Sequence, residues 1–173
     1  MENLEKIAGV SILGKTGERI MSQYNPFSRL NSTQKQDEFE RALLKVLRTQ
    51  FGSSKKETNF AIIDGFSAFF TTNSDFYIVV VAEEGENELL LDELLRSIDS
   101  AFLIVCGKEP TSKQIYKNYP ELLLMLNESF EKGRVLTTLP EEAIANSLLQ
   151  DYKRPVKAGS ASKVTSRGFF GFM

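Results

Sequence analysis

Asn73-Ser-Asp-Phe-Tyr-Ile-Val-Val-Val-Ala82 leads into Glu83-Glu-Gly-Glu-Asn-Glu88, and then into Leu89-Leu-Leu-Asp-Glu-Leu-Leu-Arg-Ser-Ile-Asp-Ser-Ala-Phe-Leu-Ile-Val-Cys106. The first part is a continuous apolar run rich in β-branched and aromatic residues. It reads as a strand buried on both faces. The second part is an acidic turn. The third places Leu91, Leu94, Leu95, Ile98, Phe102 and Val105 along one helical stripe. A strand covered on both sides, feeding a strongly apolar helix, is the centre of a mixed α and β domain.

The flanking sequence supplies the cover. Residues 6–13 and 18–24 read as two strands joined by Gly14-Lys15-Thr16-Gly17, an opening hairpin. Asn25-Pro26 breaks it. A helix follows, capped by Thr33 or by Asn31 or Ser32, with Phe39, Ala42, Leu43, Val46 and Leu47 at helical spacing and an end near Phe51-Gly52. Residues 58–63, 66–72 and 76–82 are three short strands. Asp64-Gly65 is a strong hairpin signal between the first two. After Cys106, residues 112–117 read as a helical turn. Pro120 opens a helix that carries Leu122, Leu123, Leu126 and Phe130 inward and stops at Lys132-Gly133. Val135 to Thr138 is extended, and Pro140 opens a last helix. The order β-β-α-β-β-β-α-α predicts an α+β fold. A five-stranded antiparallel sheet would carry one helix on one face and two on the other.

Charge divides the chain. Of 21 bases and 23 acids, residues 152–173 hold Lys153, Arg154, Lys157, Lys163 and Arg167 and no acid, so that segment carries +5. The other residues hold 16 bases against 23 acids, a balance of −7. The expected organisation is a domain over 1–151 and a basic, unstructured tail over 152–173. An acidic body argues against nucleic acid, where phosphate contacts supply most of the affinity. One cysteine cannot form an internal disulfide, which fits a reducing compartment. No signal-peptide pattern and no apolar run of about 18–20 residues is present, so a cytoplasmic chain is expected. Histidine is absent altogether, which removes the commonest general base and metal ligand.

The candidate sites each have a simpler explanation. Gly9 to Thr16 matches the phosphate-loop pattern G-x-x-x-x-G-K-[ST]. Its middle residues, Val-Ser-Ile-Leu, read as strand, and another strand follows where a phosphate loop needs a helix. A hairpin turn with an exposed Lys15 is the reading favoured by that context. Glu83, Glu84, Glu86, Glu88, Asp92 and Glu93 lack the loop spacing of a calcium site and suit a helix N-terminus. Asp64 belongs to its turn. Cys106 has no histidine to activate it and reads as a small buried hydrophobe. No cofactor, metal or catalytic constellation is expected. Phe169, Phe170 and Phe172, beside Arg167, are harder to leave in water. They fit either a segment folding back on its own domain or a short motif that docks on a partner or dips into a membrane surface beside the basic residues.

Glu18-Arg19-Ile20 with Tyr24, Asp75 to Val80, Glu86-Asn87-Glu88-Leu89-Leu90-Leu91, Leu126-Asn127-Glu128, and Gly133 to Thr138 with Pro140 together resemble the zeta subunit family of coatomer. The resemblance covers about residues 5–150. That family is similar to the sigma subunits of clathrin adaptors, and both are longin-type, profilin-like domains. It implies a non-enzymatic subunit of coat protein complex I that pairs with the α-solenoid trunk of the gamma subunit. It also implies a cytoplasmic protein, peripheral on Golgi membranes, in Golgi-to-ER retrograde and intra-Golgi vesicle transport. A sigma-type adaptor subunit is the alternative, and a nucleotide-binding protein using Gly9–Thr16 a remote third.

Overall fold

A computed structural model describes residues 7–50, 57–107 and 109–153, with the side chains of 50 and 149–153 not described. Five strands form one antiparallel sheet: β1 (Ile7–Gly14), β2 (Arg19–Tyr24), β3 (Asn59–Ile63), β4 (Phe66–Thr72) and β5 (Phe76–Glu83), in the order β2-β1-β5-β4-β3. The apolar run read first is therefore a central strand. β5 pairs with β1 through Val80↔Val10 and Ile78↔Ile12, and with β4 through Val80↔Phe69.

The period-two alternation of β5 divides the core. Phe76, Ile78, Val80 and Ala82 face one side, and Tyr77, Val79 and Val81 face the other. Helix α1 (Thr33–Gln50) covers the second side with Phe39, Leu43, Leu44 and Leu47. Ser32 caps it: its Oγ accepts from the Lys35 amide at 3.4 Å and its carbonyl accepts from Gln36. The end expected near Phe51-Gly52 lies outside the described residues.

The first side is covered by α2 (Glu88–Cys106), which lays Leu91, Leu94, Leu95, Ile98, Ala101 and Phe102 on the sheet, all buried. Burying a side chain of this size contributes about 1.5–3 kcal/mol, so α2 is held by packing. Two further helices, α4 (Tyr119–Ser129) and α5 (Pro140–Lys153), pack against α2. The short α3 (Ser112–Lys117) joins them, and Thr111 and Gln114 close a capping box at its start.

Where the sequence predicts two helices on this side of the sheet, the structure has α2, α4 and α5 with the short α3, and one junction differs as well. α4 ends at Ser129, not at Lys132-Gly133. Phe130–Glu131 and Arg134–Val135 form a small hairpin, β6 and β7, with Lys132 and Gly133 both at positive φ. Phe130 is fully buried as expected, but from a strand. A two-residue strand is too short for any periodicity to announce it.

Candidate functional site

The phosphate-loop pattern lies in the sheet. Residues 7–14 are all buried strand, and their backbone pairs with β2 and β5. The turn closes on itself: Gly14 N donates to the Glu18 carbonyl, Gly17 N to Gly14, and Lys15 N to Asp75. Thr16 donates its hydroxyl to Glu18. Gly9 serves packing. A Cβ there would lie 2.5 Å from Tyr24 Cδ1 and 2.9 Å from the Gln23 carbonyl oxygen. Amides committed to two ladders cannot wrap a phosphate, so the nucleotide reading is set aside.

The acidic turn also has local work. Asn87 is the N-cap of α2, its side chain accepting from the Leu89 and Leu90 amides at 3.2 and 3.3 Å. Glu83 is engaged by Arg29, whose Nη2 lies 2.7 Å from Oε2. Arg29 Nη2 also donates to the Gly65 carbonyl, and the guanidinium sits 4.1 Å from the Phe66 ring centroid. Asp64 and Gly65 have φ of 52° and 77°, the paired positive values of a type I′ hairpin turn. Asp64 is thus a turn residue. No group of three potential metal ligands converges among the described residues. Cys106 is half-buried. Burial pushes its thiol pKa up, against a weak opposing contact from Asn118, so it stays protonated and unreactive near neutrality.

A buried polar cluster that periodicity did not announce lies between α1 and the β1–β2 hairpin. Glu40, 6% exposed, projects from α1 onto the sheet. Ser11 Oγ donates to its Oε1 at 2.9 Å, Tyr24 Oη at 2.6 Å, and Arg19 Nε reaches both oxygens at 3.0 Å. Arg19 Nη2 bridges to Asp37 at 2.8 Å. Burial opposes the charge on Arg19, but Glu40, followed by Tyr24 and Asp37, outweighs it and raises its pKa. Burial and the Glu40 carboxylate push the Tyr24 phenol well above its ordinary value. One carboxylate taking donors from three side chains fixes the rotation of α1 on the sheet. Glu40 falls inside an apolar helical pattern, so only its inward phase between Phe39 and Leu43 could have signalled it.

The remaining candidates for function are surfaces. Phe60 and Ile62 on edge strand β3 are exposed by 42% and 53%, and Leu89, Ile104, Tyr116 and Leu139 by more than half. A cavity of about 500 Å³ opens beside β3, lined by Glu57, Thr58, Thr71, Leu95, Arg96 and Asp99. Phe169, Phe170 and Phe172 lie outside the described residues. No described helix is long and apolar enough to cross a membrane.

The five-stranded sheet, covered by α1 on one face and by α2, α4 and α5 on the other, presents an edge strand with Phe60 and Ile62 exposed. The family model of the clathrin adaptor complex small chain matches residues 6–153, and the chain belongs to that family. It is similar to coatomer subunit zeta of Saccharomyces cerevisiae, 27% identical, over 98% of this chain and 89% of that protein. It is similar also to coatomer subunit zeta-1 of Homo sapiens, 22% identical, over 94% and 88% of the two chains. One chain from a homology model of the full-length AP-3 complex in a stretched open conformation matches with a TM-score of 0.60. That match covers 91% of this chain and 99% of that chain at 14% identity, which shows the shared fold. The chain is a coat subunit of the adaptor small-chain type.

Proposed function

We propose that this chain is a non-enzymatic structural subunit of coat protein complex I. It pairs with the α-solenoid trunk of the gamma subunit and serves Golgi-to-ER retrograde and intra-Golgi transport. It would be cytoplasmic, and peripheral on Golgi membranes through the assembled coat. The observation that carries the reading is the near-full-length similarity to coatomer zeta subunits, through α5 and beyond. The division into a domain over 1–151 and a basic tail over 152–173 belongs to the same proposal, as does a partner-contacting role for the segment holding Phe169, Phe170 and Phe172.

The second reading is a sigma-type subunit of a clathrin adaptor, favoured by the family match itself. Partner choice separates the two. The full chain is co-expressed in parallel with a coatomer gamma trunk and with the large-subunit trunk of a clathrin adaptor. Co-purification with the first and not the second is expected. The reverse pattern gives the protein to the adaptors, and recovery of the chain alone from both removes the assembly reading.

A further inference from the structure

One groove of the domain and one segment of the same chain are complementary. The groove lies along β3, the sheet's edge, whose outer backbone groups have no neighbouring strand among the described residues. Along β3, Ala61 and Ile63 enter the core under α1, so Phe60 and Ile62 point to the opposite face. There the Phe60 ring lies 5.2 Å from Phe69, a member of the core beneath α2. α2 covers β5 and β4, and Phe60 and Ile62 stay exposed beside it. A cavity of about 500 Å³, lined by Glu57 and Thr58 just before β3, Thr71 of β4, and Arg96 and Asp99 of α2, lies at the Asn59 end of the strand. Among the described lining residues the one base, Arg96, is held by Asp92 at 2.8 Å, while Glu57 and Asp99 supply two carboxylates. The groove thus joins an acidic hole to an apolar edge.

The matching segment is Arg167-Gly168-Phe169-Phe170-Gly171-Phe172, in the part of the chain with five bases and no acid. We propose that this segment docks onto the β3–α2 groove of its own domain when the subunit is free. The Arg167 guanidinium enters the cavity beside Asp99 and Glu57, and the phenylalanines cover Phe60 and Ile62. The size fits, since pockets of about 300–1,000 Å³ hold compact ligands and a guanidinium occupies only part of this one. The reach fits as well. Lys153 ends α5, which packs on α2 on this side of the sheet. The residues from there to Arg167 span up to about 46 Å at about 3.3 Å each, against a radius of gyration of about 15 Å for such a domain. Tethering gives the segment a local concentration on the order of millimolar, so a modest contact is populated. Docking also shields an apolar sheet edge from pairing with other chains.

The test follows the Ile62 methyl group by NMR in the full chain, with buried Ile12 as the control. Arg167→Glu with Phe169→Ser and Phe170→Ser is expected to move the Ile62 resonance by more than its linewidth and leave Ile12 in place. A peptide of residues 163–173 added to that variant returns it. Asp99→Lys moves Ile62 in the same way, and Asp99→Lys combined with Arg167→Glu restores it. Coincident Ile62 signals in the parent and the triple variant overturn the proposal. So does a parent signal that shifts on tenfold dilution, which assigns the segment to a second copy, or one that shifts only with anionic vesicles, which assigns it to a membrane. The coat assignment is decided separately, by the trunk-binding experiment.

Discussion

Glu40→Gln is the sharpest probe of how the first helix is held. The carboxylate accepts from Ser11, Tyr24 and Arg19, and an amide of the same shape keeps one acceptor oxygen and turns a donor toward the guanidinium. Removing one partner of a buried ion pair costs about 3–5 kcal/mol. The Arg19 side chain is 26% exposed and keeps Asp37 at 2.8 Å, which places this case at the low end, about 3 kcal/mol. For a domain of this size that lowers Tm by about 6–12 °C, at about 2–4 °C per kcal/mol. Urea unfolding followed by circular dichroism should show a lower midpoint with an unchanged slope. Combining Glu40→Gln with Tyr24→Phe should give a coupling of about 0.5–3 kcal/mol, because the two share an acceptor. A loss below about 1 kcal/mol, the range of a surface ion pair, would refute the claim that this cluster anchors α1.

Tyr24 gives the same cluster a pH signature. Its folded pKa is raised by burial and by Glu40, so the unfolded chain releases the proton first. The phenol's contribution is whole below pH about 10 and falls by up to about 1.4 kcal/mol per unit as pH rises toward the folded pKa. The stability gap between parent and Tyr24→Phe should therefore narrow above that pH in matched urea titrations, and a gap that widens contradicts the assignment. Gly9→Ala forces a Cβ to within 2.5 Å of the Tyr24 ring and should destabilise by about 1–3 kcal/mol, measured by the same unfolding. Asn87→Ala removes the α2 cap at about 1 kcal/mol, with the loss of amide-exchange protection concentrated at Leu89 and Leu90. Isothermal calorimetry with ATP and with GTP should detect no heat, since the Gly9–Thr16 backbone is committed to strands.

The fold was legible where one force dominated. The two-sided burial of β5 and the single stripe of α2 are written in uninterrupted apolar residues, and Asp64-Gly65 has chemistry that only a tight turn satisfies. The β6–β7 hairpin was not legible, because two residues per strand carry no period and Phe130 reads equally well as the end of a helix. The Glu40 cluster was hidden for a different reason. Ser11, Arg19, Tyr24 and Glu40 come from three elements, and a charged residue in a helix looks solvent-facing until its phase is set by packing. Asn87 is the reverse case: it caps α2 in the stretch read only as acidic, and its place before Glu88 was the signal. The candidate site was the least legible part. A docking surface is made of residues that fail to be buried, such as Phe60 and Ile62, and a strand pattern alone does not distinguish an edge from a centre.

The function proposed for this chain is assembly, and its most direct measurement is the mass of what the purified full chain forms with a coatomer gamma trunk. Size-exclusion chromatography with light scattering should give a single species at the summed mass of one copy of each. Two separate peaks with that trunk, together with a stable complex on a clathrin-adaptor trunk, would contradict it.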